Sequence, residues 1–283
     1  MGNELGDFLR SRRARVRPEA AGLPTYGERR RVEGLRREEV ALLAGVSVPY
    51  YVRLEQGRAG NVSEEVVDAV ARALGLDETE RAHLHALARP VRARRAGAPA
   101  QRVRPTLRRL LDAMGDTPAF VLGRRTELLA YNRMTALLFW RPLADTNCAR
   151  LVFLDEHFRS LYPDWADKAR ETVAFLRLDA GRHPEDRRLA ALVGELSVKS
   201  ANFRRLWARH DVKERSAGRT RFRHPLVGEL VLDYDSLRPA DDPDQVLVTY
   251  LPEPGSPSEE ALRFLRAQLS GPASSASSSE GLR

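Results

Sequence analysis

The sequence predicts a multi-domain protein: an all-α unit of five helices over residues 1–89, then an α+β unit with an antiparallel sheet over residues 105–252. Three observations carry that prediction. Apolar residues within 1–89 recur at helical spacing and are interrupted by short Gly-, Ser- or Asp-containing breaks. The segment 90–104, PVRARRAGAPAQRVR, has no helical period and reads as a linker. Beyond it, short β-like runs precede a stretch of helices and return after it, and such segregation argues α+β. With 283 residues there is chain enough for two cores, and 42% hydrophobic against 30% charged is a globular balance, not a disordered one.

The first expected helix covers 4–16, with Leu5, Phe8, Leu9 and Val16 on one side. A loop with Gly22, Pro24, Gly27 and Gly34 follows. Residues 35–58, LRREEVALLAGVSVPYYVRLEQGR, hold two apolar helical patterns parted by Gly45-Val46-Ser47. Each is too short to persist alone, so packing must hold both. Val40, Leu43 and Ala44 share a face of the first; Tyr51, Leu54 and Glu55 share a face of the second. Ala41 is small where two helices must approach closely. Gly45 can take the positive φ of a tight inter-helix turn. Val46 fills the corner, Ser47 caps the second helix, and Pro49 falls in a first turn that needs no intrahelical N–H donor. Ser63 caps a fourth helix with Val66, Val70, Ala73 and Leu74 inward, Glu64 and Glu65 at its positive end, and Gly75 closing it. Asp77-Glu78-Thr79-Glu80 has capping-box spacing ahead of a fifth helix with Leu84 and Leu87.

Two short helices joined by a glycine turn spell a helix-turn-helix, whose second helix enters the DNA major groove. The stretch resembles the xenobiotic-response-element (XRE, Cro/repressor-like) family over residues 4–89, with Ala41, Gly45, Val46, Ser47, Leu54, Glu55 and Gly57 in register. The resemblance implies a λ-repressor-like five-helix domain and a set of DNA-binding residues. It puts Arg37 where such domains commonly clamp a phosphate, and Ser47 at the opening of the recognition helix. Val48, Pro49, Tyr50 and Arg53 occupy base-edge positions, and Arg58 and Asn61 meet the other phosphate strand. Val48 and Pro49 carry no side-chain hydrogen-bonding group, so direct readout falls on Arg53 and Tyr50, with apolar contact to thymine methyls. Tyr51 stands where a smaller aliphatic is usual. Tyr51 and Leu54 are expected in the core, Glu55 on Arg13, and Arg12 and Arg15 in solvent.

In the second domain, residues 107–113 suggest a helix, AFVLG (119–123) and ELLAY (127–131) are short strands, and Asn132 opens a helix through Phe139. Helical patterns fill 161–177, 185–194 and 200–210. Strands return at 221–224, at 229–237 with Leu230, Leu232 and Tyr234 alternating inward, and at 246–251. Residues 253–269 form a helix-like segment and the Ser/Ala-rich end 270–283 a disordered tail. LLAYNRMTALLF (128–139) looks like a PAS-type opening. LYPDW (161–165), FRRLWARHDV (203–212) and RHPLVGELVLDYDSL (223–237) resemble the ligand-binding domain of MmyB-like transcription regulators. That resemblance implies a PAS-like sensor that binds a small apolar or fatty-acyl-like molecule, and a homodimer. The residues that would line such a pocket are Phe120, Leu122, Tyr131, Asn132, Trp140, Phe203, Trp207, His210, Leu232 and Tyr234, a composition that an ordinary core shares.

Net charge is +8, yet residues 1–89 carry +1, 90–104 carry +5 and 105–283 carry +2. The basic character is therefore local, in Arg10 to Arg17, in Arg29-Arg30-Arg31 and in the linker, and such clusters suit phosphates. One cysteine, Cys148, excludes an internal disulfide framework and fits a reducing compartment. No membrane span and no signal segment appear, so the expected location is the cytoplasm, at the nucleoid. The histidines at 83, 85, 157, 183, 210 and 224 make no metal spacing, and there is no phosphate-binding glycine loop or nucleophile elbow. The expectation is a regulator, not an enzyme, without metal or resident cofactor. Its expected partners are a palindromic double-stranded operator, a small-molecule effector and a second copy of the chain. In the alternative reading the second domain only dimerises or docks a protein partner.

Overall fold

A computed structural model describes residues 3–23, 32–88, 101–214, 217–240 and 242–270. Arg29-Arg30-Arg31, most of the linker 90–104 and nearly all of the tail 270–283 lie outside the described residues. In chain order the elements are α1 (Glu4–Arg13), α2 (Arg37–Leu43), α3 (Val48–Glu55), α4 (Glu64–Ala73), α5 (Glu78–Ala88) and α6 (Pro105–Ala113). Then come β1 (Ala119–Leu122), β2 (Leu128–Tyr131), α7 (Arg133–Phe139), α8 (Cys148–Leu154) and α9 (Glu156–Leu161). The chain continues with α10 (Trp165–Arg182), α11 (Arg187–Lys199), α12 (Ala201–Trp207), β3 (Ala217–His224), β4 (Gly228–Leu237), β5 (Val246–Pro252) and α13 (Pro257–Ser270).

These elements make two compact units. The first combines residues of 1–99 with those of 169–215, the second those of 100–168 with 216–283. The sequence partition, with 105–252 as one domain, differs from this grouping. The physical reason lies in the first core. Phe8, Leu9, Leu35, Val40, Ala41, Tyr51, Leu54, Val67, Val70 and Leu84 are buried together, and Leu178 of α10 and Val212 join them.

The local reasons for the head helices are those the sequence offers. Ser47 Oγ accepts from Tyr50 N at 3.3 Å and Ser63 Oγ from Val66 N at 3.4 Å. Asp77 and Glu80 exchange capping-box bonds of 2.8 and 3.4 Å. Gly45 takes φ +65°, the left-handed turn between α2 and α3. The first helix stops at Arg13, short of the expected residue 16, because the Arg13 carbonyl accepts from Leu35 N at 3.0 Å.

The second unit is built on one antiparallel sheet of order β2-β1-β5-β4-β3. One face buries Ala119, Val121, Ala130 and Leu247 against Leu107 and Leu111 of α6. Alternation and register put Phe120, Val248, Tyr250, Tyr234, Leu232 and Phe222 on the other face. Two short helices were not anticipated. α8 and α9 are capped by Asn147 and Asp155, whose side chains accept from Arg150 N at 3.1 Å and Phe158 N at 2.7 Å.

Candidate DNA-reading face and sensor interior

α3 is amphipathic in the way a reading helix requires. Tyr51, Leu54 and Glu55 are buried in the head, while Val48, Pro49 and Arg53 point outward and are exposed, and Tyr50 is half-buried. The Arg53 guanidinium carbon lies 5.8 Å from the Tyr50 ring centroid, so the two readout candidates sit side by side. Ser47 spends its hydroxyl on the cap. Arg58 and Asn61 are exposed in the loop after α3.

Behind the face sits Glu55, fully buried, as the hub of the head. Its carboxylate accepts from Arg13 Nε at 2.7 Å and from Arg37 Nε at 2.8 Å. The expected Glu55–Arg13 pair is present, and Arg37 shares it. The Glu55 hydrogen bond raises the Arg37 pKa above its ordinary value, with the Glu55 charge adding to it. Arg37 remains half-exposed at 46%, with Nε on Glu55. The Glu55 carbonyl accepts from Asn3 Nδ2 at 2.5 Å and from Arg10 Nη1 at 3.2 Å. A Cβ on Gly6 would collide with that same carbonyl, so glycine lets α1 lie directly on the end of α3.

The other side of α1 corrects an expectation. Arg12 is not solvated: it is 3% exposed, with Nε 2.8 Å from Glu80 and Nη2 donating to the His210 carbonyl at 2.6 Å. Arg15 reaches Asp211 at 2.5 Å and the Arg209 carbonyl at 2.8 Å. Arg177 of α10, 2% exposed, pairs with Glu4 at 2.9 Å, donates to the Trp207 carbonyl, and lies 4.0 Å over the Trp207 ring. Burial lowers the pKa of both Arg12 and Arg177, and the neighbouring carboxylates oppose the shift. His83 of α5 stands edge-on to Phe8 at 5.0 Å. Burial first, then Arg177, Arg12, Arg182 and His210, brings the His83 pKa down to about 3. Burial likewise leads the lowering of His210 to about 4.

The ten candidate pocket residues fall into two sets. Phe203, Trp207 and His210 belong to the first unit, where Phe203 and Trp207 stack at 5.6 Å and the Trp207 and His210 carbonyls hold the two buried arginines. The remaining seven belong to the second unit. Phe120, Leu122 and Leu232 are buried, Tyr234 is 9% exposed, and Tyr131 pairs across the sheet with Phe120. Trp140 is 41% exposed and edge-on to His224. Asn132 is committed to the scaffold: its oxygen caps α7 on Thr135 N, and its nitrogen donates to the Thr117 and Met114 carbonyls.

Phe120 and Tyr234 belong to a larger ring cluster with Phe139, Phe158, Tyr162, Phe222 and Tyr250, each of these five at most 3% exposed. Centroid separations run from 4.9 Å for Tyr162–Phe222 to 6.4 Å for Phe139–Phe222. These five are not among the ten candidates: Phe139, Phe158, Phe222 and Tyr250 lie in α7, α9, β3 and β5 and Tyr162 just past α9, where apolar spacing reads as core alone. Two surface depressions beside the sheet are lined in part by charged residues; one, of about 500 Å³, runs past Gly218, Arg219, Asp233, Tyr234, Asp235 and Leu251. No group of metal-ligating side chains occurs among the described residues, and no helix among them is long and apolar enough to cross a membrane.

Two family models match the chain. One, described as a helix-turn-helix domain, covers residues 4–84, and one described as the MmyB-like transcription regulator ligand binding domain covers 103–265. No curated protein is similar enough to count as a match. The second match runs across the boundary between the units, so residues 169–215 lie in a ligand-binding stretch by sequence and with the head by packing.

Proposed function

Because the chain belongs to the MmyB-like transcription regulators, with a helix-turn-helix domain ahead of the ligand-binding one, we propose that it reads a palindromic operator as a homodimer and answers to a small apolar, fatty-acyl-like effector. The DNA-binding transcription regulator with a ligand-binding domain is the premise; the operator symmetry, dimer and effector class are the proposal. The observation that carries the DNA side is α3, buried along Tyr51, Leu54 and Glu55 and exposed along Val48, Pro49 and Arg53. In this reading Arg53 hydrogen-bonds a base edge beside Tyr50, Val48 and Pro49 touch thymine methyls, and Arg37, Arg58 and Asn61 hold phosphates. Two such helices, one DNA turn apart, require two copies of the head. The effector side is supported by the aromatic face of the second sheet, where Phe120, Leu232 and Tyr234 meet the ring cluster. The seven rings are buried and linked pair by pair, so an acyl chain would enter among them by displacing rotamers.

Two experiments test this reading. A duplex selected by the full chain from a random pool serves as the operator. Arg53→Ala is expected to lose about 1–3 kcal/mol of specific affinity while salt-sensitive binding to mixed-sequence DNA persists. Unchanged specific affinity would sink the assignment of Arg53. Native mass spectrometry of the purified chain, alone and with added long-chain fatty acids, reads the effector class and the dimer together. A retained acyl mass supports the class; a chain that neither carries nor takes up any such acid overturns it.

A further inference from the structure

The family match assigns residues 169–215 to ligand binding, yet they share a core and a charge network with the head. We propose that α10–α12 are a positioning part of the DNA-reading apparatus: by gripping α1 from behind, they fix the helix that holds the end of α3. The inference rests on the DNA-binding reading above and goes beyond it.

The geometry runs through one short helix with two working sides. On one side α1 holds the end of α3, through Asn3 and Arg10 on the Glu55 carbonyl, Arg13 on the Glu55 carboxylate, and Gly6 in contact with the Glu55 backbone. On the other side the 169–215 segment holds α1 and the turn after it, through Glu4 on Arg177, Arg12 on the His210 carbonyl, and Arg15, just past α1, on Asp211. Phe8 bridges the two environments, buried in the head core with His83 edge-on and Arg12 4.6 Å over its ring. An exposed pair contributes little, but Arg12 and Arg177 are buried charges whose partners must stay in place. Withdrawing the 169–215 segment would strip the His210 carbonyl from Arg12, leaving it Glu80, and would take Arg177 from Glu4, so α1 cannot keep its position at no cost when the segment moves.

Gly181 of α10 gives access to this contact without touching the reading face. A Cβ there would stand 2.6 Å from His83 Nδ1 and closer still to Cε1, and that ring is 3% exposed with nowhere to go. Alanine is the better helix former at such a position, so local propensity predicts stabilisation and the contact predicts the opposite.

The experiment uses the full chain and the duplex selected by the wild type. Gly181→Ala is expected to speed hydrogen exchange in α1 and α10–α12. It should weaken specific binding about tenfold, within the usual span for coupled sites. Binding to a mixed-sequence duplex should hold within about twofold, because phosphate attraction does not need the exact pose. Gly181→Ala with His83→Ala should recover most of the specific affinity. Coupling is reciprocal, so the specific duplex must slow exchange in 169–215 of the wild type, an effect that a merely stabilising segment would not show. Where Gly181→Ala does not fold, Arg177→Met, which removes the Glu4 pair, is read by the same two assays. Faster exchange with unchanged specific affinity in either variant, and no duplex-dependent protection of 169–215, would overturn the proposal. Arg53→Ala keeps the two failures apart: if it alone leaves specific binding intact, the reading-face assignment is at fault, and not the positioning role.

Discussion

Glu55 shows how one residue can serve fold and function without touching DNA. Its carboxylate is fully buried and held by Arg13 and Arg37, so its charge is balanced in place. Glu55→Gln is expected to destabilise the first unit by about 3 kcal/mol or more, since two guanidiniums would lose their counter-charge. Thermal unfolding measures this, and a loss under about 1 kcal/mol would mean that solvent already screens the pair. The Glu55–Arg13 pair was legible from the family register that the resemblance supplies. The burial of Arg12 and Arg177 was not, because a guanidinium that is paired in a core and one that is solvated look identical in sequence. His83 carries the same lesson into pH. Its pKa falls to about 3 when folded, against about 6.5 in an unfolded chain. Between those values the unfolded chain binds more protons, so the stability gained by keeping His83 neutral is complete above pH ~6.5 and is lost as pH falls toward 3. His210, at about 4, acts in the same direction. The groups facing the pair are Arg10, Arg12, Arg177 and Arg182, which oppose protonation, and Asp7 beside His210, which favours it. Unfolding of the full chain, followed through Trp207 exchange or fluorescence, should show stability falling between pH 7 and pH 5, and His83→Gln should flatten much of that slope. An unchanged slope in His83→Gln would place the pH dependence elsewhere.

At the scale of elements, legibility follows local chemistry. α2, α3, α4 and α5 were readable because each carries its own start or stop signal: the Gly45 turn, the Ser47 and Ser63 caps, and the Asp77–Glu80 box. β1, β2 and β5 were readable as short apolar runs, β4 from alternation, and α7 from Asn132. α8 and α9 were not: seven and six residues show little helical period, and their caps, Asn147 and Asp155, do not follow a recognisable strand as Asn132 follows β2. The cap of α3 yields a prediction of its own. Ser47→Ala removes the bond to Tyr50 N and is expected to cost about 1 kcal/mol of stability. Its effect on DNA affinity, measured on the selected duplex at temperatures well below unfolding, should be small beside that of Arg53→Ala. A loss as large as that of Arg53→Ala would show that Ser47 meets DNA directly.

At the scale of the whole molecule, the sequence and the packing divide the chain differently, and the reason is physical. Composition marks where a linker lies, but an amphipathic helix does not encode which apolar surface will cover it. α10 and α12 read as members of the second domain because they follow it in order. Their partners, Phe8, Arg12 and His83, stand far earlier in the chain, and no local pattern announces contacts of such separation. The candidate pocket inherits this ambiguity: Phe203, Trp207 and His210 were grouped with Phe120 and Tyr234 by composition, and the packing gives them to the head. If 169–215 fold with the head as one cooperative body, their slowest amides must open with the head's and not with the sheet's. Native-state hydrogen exchange across a denaturant series should therefore give amides near Leu178 in α10 and near Phe203 in α12 the opening free energy and denaturant slope of Leu9 in α1 and Leu54 in α3. Amides of β1, β4 and β5 should form a separate group. Should α10 and α12 instead exchange with the sheet, the core shared by Leu178, Val212 and Phe8 would be a contact made late and lost early, and too weak for α1 to transmit anything through it.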